Sequence, residues 1–425
     1  MKQHISSSLL AFFGFVLLAS PTQAIDSDSD GISDAIESLY GFDINDATDT
    51  PTMTMIPVHT TIGDNSGDAL GVSVAGAGDV NNDGYDDLII GAPYDDNSGT
   101  HSGSARVISG ANYSTLYTFY GTSADDEFGT SVSGAGDVNN DGYDDVIVGA
   151  PYNDTFASNA GMVRIYSGLN GSILYTYYGS ASGDYFGFAV AKAGDINKDS
   201  YDDFLIGAYG TDVNGDNSGS AYIYSGVNGS NLSVSRGGAA GDFYGGAVAY
   251  AGDVNSDTYP DVIIGADSDD TSIGTDAGTA VVISGFDNTV IHSLNGESAE
   301  DQFGWSVDGA GDVNNDGYDD VIIGAWADDN NGNNSGSARV VSGLTGNTLY
   351  TLNGDTEFDS FGSSVAGIGD INDDGIVDIL DIVLLVNAIM GTTEFTTIET
   401  YAADLNGDSN INIQDIILTI NLILS

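Results

Sequence analysis

The sequence of 425 residues has no cysteine, 6 prolines, 4 histidines and only 7 lysine and arginine residues. Without cysteine there are no disulfides, no zinc-thiolate sites, no haem thioether attachment and no cysteine nucleophile. The few basic residues stand against 63 acidic ones, which gives a formal charge of −56. The chain therefore lacks the cationic surface that binding to nucleic-acid phosphates requires, and the same balance disfavours anionic lipid. We expect no nucleic-acid partner and no membrane insertion of the mature chain.

The acidic residues are strongly biased toward aspartate, since only 7 of the 63 are glutamate. Aspartate is a poorer helix former than glutamate but is common in tight turns and as a ligand of hard cations. The chain also contains 59 glycines, while hydrophobic residues make up 41% of it, enough for a large core. This composition favours a folded, turn-rich protein that binds cations.

Residues 1–24 have the features of an export signal. Lys2 supplies a positive start, Leu9 to Ala19 is an apolar run, and Thr22-Gln23-Ala24 is typical of a cleavage site. An uncleaved anchor is the alternative, disfavoured by the short apolar run. We expect a secreted protein, extracellular or at the cell surface, that begins at Ile25.

A repeat organises the middle of the chain. The segment from Asp79 to Asp87 recurs from Asp137, Asp195, Asp253 and Asp312, at spacings of 58 or 59 residues. A Phe-Gly or related pair precedes each copy, and a β-branched run ending in Gly-Ala follows it. Each unit holds four short apolar stretches separated by Gly, Asn and Asp, which indicates strands and turns. Four strands per unit predict the blades of a β-propeller, with a two-sheet sandwich as the alternative.

These landmarks resemble the FG-GAP repeat of integrin α subunits. The second copy shows them fully, with Phe128-Gly129, the aspartate loop from Asp137, and Gly149-Ala150-Pro151. The resemblance covers residues 55–369 and implies a propeller with calcium in the hairpin between the first two strands of each blade. The chain departs from the pattern at the proline, which is replaced in the last three copies by Tyr209, Asp267 and Trp326.

The number of blades is left open between five and six, whereas the family usually has seven. Val58–Gly63 resembles a fourth strand and Phe361–Val365 a first strand. We expect these two segments to share a sheet and close the ring, which would hide open strand edges.

Each repeat carries a loop whose positions 1, 3, 5 and 9 offer side-chain oxygens and whose position 7 offers a carbonyl. Calcium takes six to eight hard oxygen ligands, and three neighbouring carboxylates repel one another without a cation. A plain Asx-turn hairpin without an ion is the alternative. The predicted ligands are Asp79, Asn81, Asp83, Tyr85 and Asp87; Asp137, Asn139, Asp141, Tyr143 and Asp145; Asp195, Asn197, Asp199, Tyr201 and Asp203; Asp253, Asn255, Asp257, Tyr259 and Asp261; Asp312, Asn314, Asp316, Tyr318 and Asp320. Position 6 is Ser200 and Thr258 in two loops instead of Gly, which predicts weaker binding there.

The sixth copy of the loop differs, because its position 12 is Asp381 and apolar residues follow at helical spacing. A second loop of this kind follows. Their predicted ligands are Asp370, Asn372, Asp374, Ile376, Asp378 and Asp381, then Asp404, Asn406, Asp408, Asn410, Asn412 and Asp415. Residues 370–425 resemble a type I dockerin, which implies a small α-helical, EF-hand-like module that binds a cohesin-type scaffold. The residues at positions 10 and 11, Ile379-Leu380 and Ile413-Gln414, are not the small hydroxylated pair usual in that family. A module that folds on calcium and only caps the propeller is the alternative.

The start of the mature chain, residues 25–50, carries one more acidic loop. Its predicted ligands are Asp26, Asp28, Asp30, Ile32, Asp34 and Glu37. The loop resembles a thrombospondin type 3 calcium repeat, with a disordered acidic leader as the alternative. The chain would then hold up to about eight calcium sites in all.

No catalytic constellation is present: the histidines lack triad or metal spacing, and there is no phosphate loop. The sequence therefore predicts a non-enzymatic, mainly β, calcium-binding adhesion protein. Its propeller face would bind a protein or glycan ligand through loops such as 154–160 and 328–334, and its C-terminal module would anchor it to a partner. The alternative is an unrecognised hydrolase in an extracellular polysaccharide-degrading complex, since propellers also carry active sites on their loops.

Overall fold

The computed structural model describes residues 61–367. The predicted export signal, the N-terminal acidic loop and the dockerin-like segment lie outside the described residues and stay predictions.

Twenty strands fill the described part of the chain, four in each repeat. The first repeat has β1 (Val74–Gly78), β2 (Asp87–Ala92), β3 (Ser104–Ile108) and β4 (Thr115–Tyr120). The second has β5 (Ser131–Gly136), β6 (Asp145–Ala150), β7 (Met162–Tyr166) and β8 (Ile173–Tyr178). The third has β9 (Ala189–Gly194), β10 (Asp203–Ala208), β11 (Ser220–Tyr224) and β12 (Asn231–Arg236). The fourth has β13 (Ala247–Gly252), β14 (Asp261–Ala266), β15 (Thr279–Ile283) and β16 (Val290–Asn295). The fifth has β17 (Ser306–Gly311), β18 (Asp320–Ala325), β19 (Ser337–Val341) and β20 (Thr348–Asn353).

Each repeat folds into one antiparallel sheet whose strands follow the order of the chain. The first strands of successive sheets, β1, β5, β9, β13 and β17, lie next to one another in that order. This arrangement confirms the predicted mainly β fold with four-stranded blades and rules out a two-sheet sandwich. Five complete blades lie within residues 61–367.

The core lies between neighbouring blades, because the second strand of each of the last four blades is covered on both faces. All six residues of β6 are buried, as are those of β10, β14 and β18. In the first interface Val132 and Val146 pack against Ile89 and Val107 of the preceding blade. A strand buried on both faces reads as a continuous apolar run, which is the pattern that the sequence shows before each Gly-Ala.

The Phe-Gly and Gly-Ala landmarks meet across each blade interface. A Cβ atom on Gly207 would overlap the carbonyl oxygen of Gly245, the glycine that follows the aromatic residue in the next repeat. The same relation holds for Gly91 with Gly129 and for Gly149 with Gly187. The landmarks recur together because two backbones pass too close for any side chain.

The N-terminal end of the described chain occupies the place of a fourth strand. Arg106 donates from Nη1 to the carbonyl of Ile62, 44 residues before it, and from Nη2 to Asp64, 42 residues before it. In the fifth blade Arg339 makes the same pair of contacts, at the same separations, to Asn295 at the end of β16 and to Glu297. This match supports the predicted resemblance of Val58–Gly63 to a fourth strand; residues 58–60 lie outside the described part, and closure of the ring stays a prediction.

At the other end, the segment predicted as a first strand is shifted. Phe361 forms only a single bridge to Gly336, as Phe128 does to Gly103, and the strand of the second blade begins at Ser131, three residues after its phenylalanine. By this register Phe361, Gly362 and Ser363 are the approach to a first strand, and Ser364 is the equivalent of the first strand residue Ser131. Gly367 then donates to the carboxylate of Asp308 on β17 at 2.9 Å, so the approach is docked on the fifth blade.

A glycine-to-alanine substitution at the landmark contact should destabilise the propeller. We expect Gly207→Ala to lower the free energy of unfolding by about 2–3 kcal/mol or more, because neither backbone at this contact can move aside. Gly76→Ala in β1 is the matched control, because no atom lies within 4 Å of its added Cβ. Chemical denaturation measures both, and equal stability of the two variants would contradict the close-contact explanation.

Candidate functional site

The five aspartate loops all connect the first and second strands, at one end of the blades. In each loop position 1 follows the last residue of the first strand, and position 9 is the first residue of the second strand, as with Asp79 and Asp87 around β1 and β2. Exposure rises toward the tip, where Asp83 is exposed while Asp87 is buried. The fold therefore places the predicted ligands of each loop on one hairpin.

The position 1 carboxylate shapes the turn. In the first loop Asp79 accepts hydrogen bonds from the backbone N–H of Asp83 at 2.9 Å and of Gly84 at 2.8 Å. The equivalent bonds to positions 5 and 6 recur in the other four loops. This Asx-type pattern explains why aspartate rather than glutamate is used, since the shorter side chain reaches its own loop backbone.

The position 9 carboxylate joins two connections of the same blade. Asp87 accepts from the N–H of Val80 in its own loop and from the N–H of Gly110, two residues after the end of β3, both at 3.0 Å. The pair of bonds recurs at Asp145, Asp203, Asp261 and Asp320. The loop spacing did not predict this structural role, although a Ser-Gly pair follows the third strand of every blade and is a recurring signal for it.

These position 9 carboxylates are the most perturbed acids of the loops. Burial, with a further contribution from the aspartates at positions 5 and 1, raises the pKa of Asp145, Asp203 and Asp261 to about 7. The same causes raise the pKa of Asp87 and Asp320 to about 6. Each loop thus buries a carboxylate among like charges, an arrangement that a bound cation would stabilise.

The asparagine at position 3 takes two orientations. In the first, second and fifth loops its Nδ2 faces the position 9 carboxylate, as between Asn81 and Asp87 at 3.3 Å. In the third and fourth loops its Oδ1 instead accepts from the N–H of position 5 at 2.9 Å. These are the loops with Ser200 and Thr258 at position 6, where φ is +72° and +75°. These two non-glycine residues therefore adopt the left-handed conformation that glycine adopts more easily, and the weaker calcium binding predicted for the two loops stays a prediction.

The ligands of a loop do not converge on one point in this structure. Among residues 61–367 no three acidic or histidine side chains are grouped closely enough to hold a metal. The carboxylate oxygens instead accept the backbone N–H groups described above. The donor set nevertheless suits calcium, since it consists of hard oxygens around a buried, uncompensated carboxylate.

The opposite end of the blades carries a group of packed aromatic rings. Tyr185 and Tyr209 stack with centroids 4.9 Å apart and planes 4° apart. Phe188 and Phe243 contact Tyr209 edge-on, and Tyr152 contacts Tyr185. All five rings are partly exposed and come from the β6–β7, β8–β9, β10–β11 and β12–β13 connections. We call them the aromatic platform.

The fifth blade adds two tryptophans at the same end. Trp305 is 46% exposed and packs edge-on against Trp326 at 5.7 Å. The indole Nε1 of Trp326 is buried without a hydrogen-bond partner among the described residues. Tyr209 and Trp326 both stand where the repeat has proline in its first two copies, so the sequence departures coincide with this aromatic surface.

The two loops that the sequence predicted as ligand-binding contain an equivalent hydrogen bond. In the loop 154–160, Asp154 accepts from the N–H of Asn159 at 2.7 Å, and in the loop 328–334, Asp329 accepts from that of Asn334 at 2.7 Å. The equivalent loop of the first blade has the same bond from His101 to Asp96. These three loops therefore share the same hydrogen bond between residues five apart, while the neighbouring aromatic residues vary between blades.

Two protein families match the chain. The FG-GAP repeat matches residues 70–108, 128–166, 186–224 and 303–341, and the dockerin type I domain matches residues 368–424. The fourth repeat, β13–β16, is not among those four matches, but it folds into a four-stranded sheet with the same strand order as the others. Within residues 61–367 no helix is long and apolar enough to cross a membrane.

Integrin α chains are similar to the repeat region. Integrin alpha-V of Gallus gallus is 30% identical over 262 residues, which cover 58% of this chain and 23% of the integrin. Integrin alpha-6 of Homo sapiens is 34% identical over 166 residues, covering 37% and 14%. Integrin alpha-11 of Homo sapiens is 35% identical over 149 residues, covering 32% and 12%. This chain thus spans less than a quarter of the length of these relatives.

The fourth repeat also carries an aspartate, Asp267, where the first two copies have proline. Burial, with Asp276 nearby, raises the pKa of Asp267 to about 6. Because its folded pKa lies above the ordinary value of 3.8, stability from this group is present at low pH and is lost as pH rises through about 6.

The substitution Asp267→Asn should remove this pH-dependent loss. We expect its stabilising effect relative to the parent protein to be about 1 kcal/mol larger at pH 8 than at pH 5. Urea denaturation at the two pH values measures the difference, and an equal effect at both would contradict the assignment.

Proposed function

Starting from a chain that contains FG-GAP repeats followed by a type I dockerin domain, we propose that this protein is a secreted, calcium-dependent adhesion or interaction protein. Its propeller binds a protein or glycan ligand, and its C-terminal module anchors it to a cohesin-type or cell-surface partner. The family matches support the coarser role, which is protein interaction or complex anchoring outside the cell.

The observation that carries the calcium dependence is the buried aspartate at position 9 of every loop. Five such carboxylates are held at the base of acidic hairpins, while the whole chain offers only 7 basic residues to offset them. The ion would be held by the side-chain oxygens at positions 1, 3, 5 and 9 and by the carbonyl at position 7, as proposed for all five loops. In the first, second and fifth loops the Nδ2 of the position 3 asparagine faces the position 9 carboxylate. Calcium binding then requires this side chain to rotate so that its oxygen faces position 9 instead.

The aromatic platform and the two tryptophans support ligand binding at the opposite end of the blades. Aromatic rings provide large contact areas at little conformational cost, and they dominate binding energy at many interfaces. The chain's negative charge favours neutral or basic ligands over acidic ones. We place the ligand-binding surface there, on rings rather than on the regular loops beside them.

The C-terminal module supports the anchoring role by resemblance. Residues 368–424 match the type I dockerin domain, and dockerins bind cohesins. The proposed ligands Asp370 to Asp381 and Asp404 to Asp415, like Asp26 to Glu37 near the N-terminus, lie outside the described residues.

The alternative is a hydrolase in an extracellular polysaccharide-degrading complex. The match of residues 368–424 to the type I dockerin domain favours this alternative, since such a module joins a protein to a larger assembly. The similarity to integrin α chains favours the binding role.

Chelation should destabilise the propeller. A site filled at a hundredfold excess over its Kd contributes about 2.7 kcal/mol, so the loss of several ions rivals the net stability of a typical domain. We expect Asp141→Ala at the exposed position 5 of the second loop to cost about 2–3 kcal/mol in calcium and little in chelator. Thermal unfolding of the full mature chain in calcium, chelator and magnesium measures this, with magnesium restoring little stability.

Asp216→Ala is the control, because this exposed side chain accepts no hydrogen bond within the described residues. It should be neutral in all three conditions. Identical melting with calcium and chelator, together with no calcium bound in calorimetry, would refute calcium binding by the loops.

Removing rings from the ligand-binding end should abolish retention. We expect Tyr209→Ala and Trp305→Ala each to weaken binding at least tenfold on an array of glycans and extracellular-matrix proteins, because buried aromatic anchors carry most binding energy. Leu169→Ala is the matched control, since Leu169 is 47% exposed but lies at the end of the blades that carries the loops. Release of free sugar instead of retention would favour the hydrolase.

A further inference from the structure

Neighbouring aspartate loops are joined by a reciprocal pair of hydrogen bonds. Asp144, at position 8 of the second loop, accepts from the N–H of Asp79, at position 1 of the first loop, at 2.8 Å. In return the N–H of Asp144 donates to the carbonyl oxygen of Asp79 at 3.3 Å. The spacing pattern gives Asp144 no ligand role, yet this residue holds a predicted ligand of the preceding loop.

The same pair joins two other loop interfaces. Asp202 accepts from Asp137 at 3.0 Å and donates to it at 3.4 Å. Asp319 accepts from Asp253 at 2.6 Å and donates to it at 3.3 Å. At these interfaces the glycine before position 1 lies so close to the carboxylate that a Cβ atom would overlap it. We call this pair of bonds the loop staple.

The interface between the third and fourth loops has no loop staple. Position 8 there is Pro260, which has neither a carboxylate nor an N–H, so Asp195 loses both bonds. The two loops meet instead through Lys198, whose Nζ contacts the hydroxyl of Thr258 and lies 4.0 Å above the ring of Tyr259. That contact involves neither Asp195 nor position 8. The interface between the third and fourth loops is therefore an internal control without the loop staple.

We propose that the loop staples couple calcium binding between neighbouring loops, in two separate groups, the first to third loops and the fourth and fifth loops. Asp144, Asp202 and Asp319 are positioning residues in this coupling and not ligands. The inference rests on the proposed calcium function of the loops.

The coupling follows from the place of the staple in the chain. Position 8 precedes position 9, the ligand that starts the second strand, so an ion that fixes Asp145 also fixes the backbone of Asp144. The staple then holds the backbone of Asp79, from which the position 1 ligand of the preceding loop extends. A neighbour whose ligand is already ordered binds with a smaller loss of conformational entropy, so the coupling is positive. Direct repulsion between ions opposes it but is screened over roughly 8 Å at physiological salt.

Amide hydrogen exchange in a loop that has lost its own ion isolates this coupling. In Asp83→Ala protein the first loop cannot bind calcium, so any calcium-dependent protection of residues 79–81 must come from the second loop. Exchange of the full mature chain is followed by mass spectrometry with overlapping peptides, with and without saturating calcium. We expect calcium to slow exchange at Asp79 about tenfold, within the 5- to 150-fold range of typical coupling.

Second substitutions test whether the staple carries the effect. Adding Asp144→Ala to Asp83→Ala should abolish the calcium effect at Asp79. Adding Asp144→Asn instead should retain it, because the amide oxygen still accepts from Asp79. At the unstapled interface, Asp199→Ala protein should show no calcium effect at Asp195, and adding Pro260→Asp should create one.

The outcomes separate this inference from the calcium function itself. If calcium protects the other loops of Asp83→Ala protein but not residues 79–81, the coupling is refuted while calcium binding stands. If Asp195 in Asp199→Ala protein responds as strongly as Asp79, the staple is not the carrier. If calcium changes exchange in no loop of the parent protein, both proposals fail.

Discussion

A buried aspartate at the base of every loop is the constraint on which the repeat depends. At position 9 it begins the second strand of the blade and accepts hydrogen bonds from N–H groups in two different connections. It also lies among other carboxylates. An apolar residue there would leave two buried N–H groups without acceptors, which costs about 1–3 kcal/mol for each group. The same residue that organises the hairpin thus creates the negative site that a cation would neutralise.

The blade interfaces follow from equally local rules. Two glycines with crowded backbones fix where neighbouring sheets meet, and apolar side chains from both sheets fill the space beside them. The first blade shows what happens where no complete sheet precedes it within the described residues. Val74 is 60% exposed there, while its equivalent Val132 is 5% exposed, and Leu88 and Val146 differ in the same way. Each blade therefore depends on its neighbour for burial, as expected of a repeat array.

The sequence was sufficient to predict the strands, the blades and the loops, because their signals are local and repeat five times. Alternation of apolar runs with Gly, Asn and Asp predicted the hairpins, and the left-handed φ of Ser200 and Thr258 agrees with the sharp turn expected at position 6. The start of the first strand was placed too early at Phe361, because an aromatic residue that forms a single bridge looks like part of a strand in sequence.

Contacts between repeats could not be predicted from the sequence. The bond from Asp79 to Asp144 joins residues 65 positions apart, and nothing in the spacing of one loop marks Asp144 as important. The aromatic platform also combines residues of three blades. The replacement of proline by Tyr209 was the one feature of the sequence that indicated it. Long-range pairs of this kind require the packing of the blades to be known.

The most direct measurement of cation binding by the loops is anomalous scattering from crystals of the mature chain grown in calcium. We expect one peak in each of the five loops, lying between the carboxylates of positions 1, 5 and 9, with the oxygen of the position 3 asparagine turned toward it. Loops without peaks, with position 1 and position 9 carboxylates still bonded only to backbone N–H groups, would contradict a cation-binding role for these aspartates.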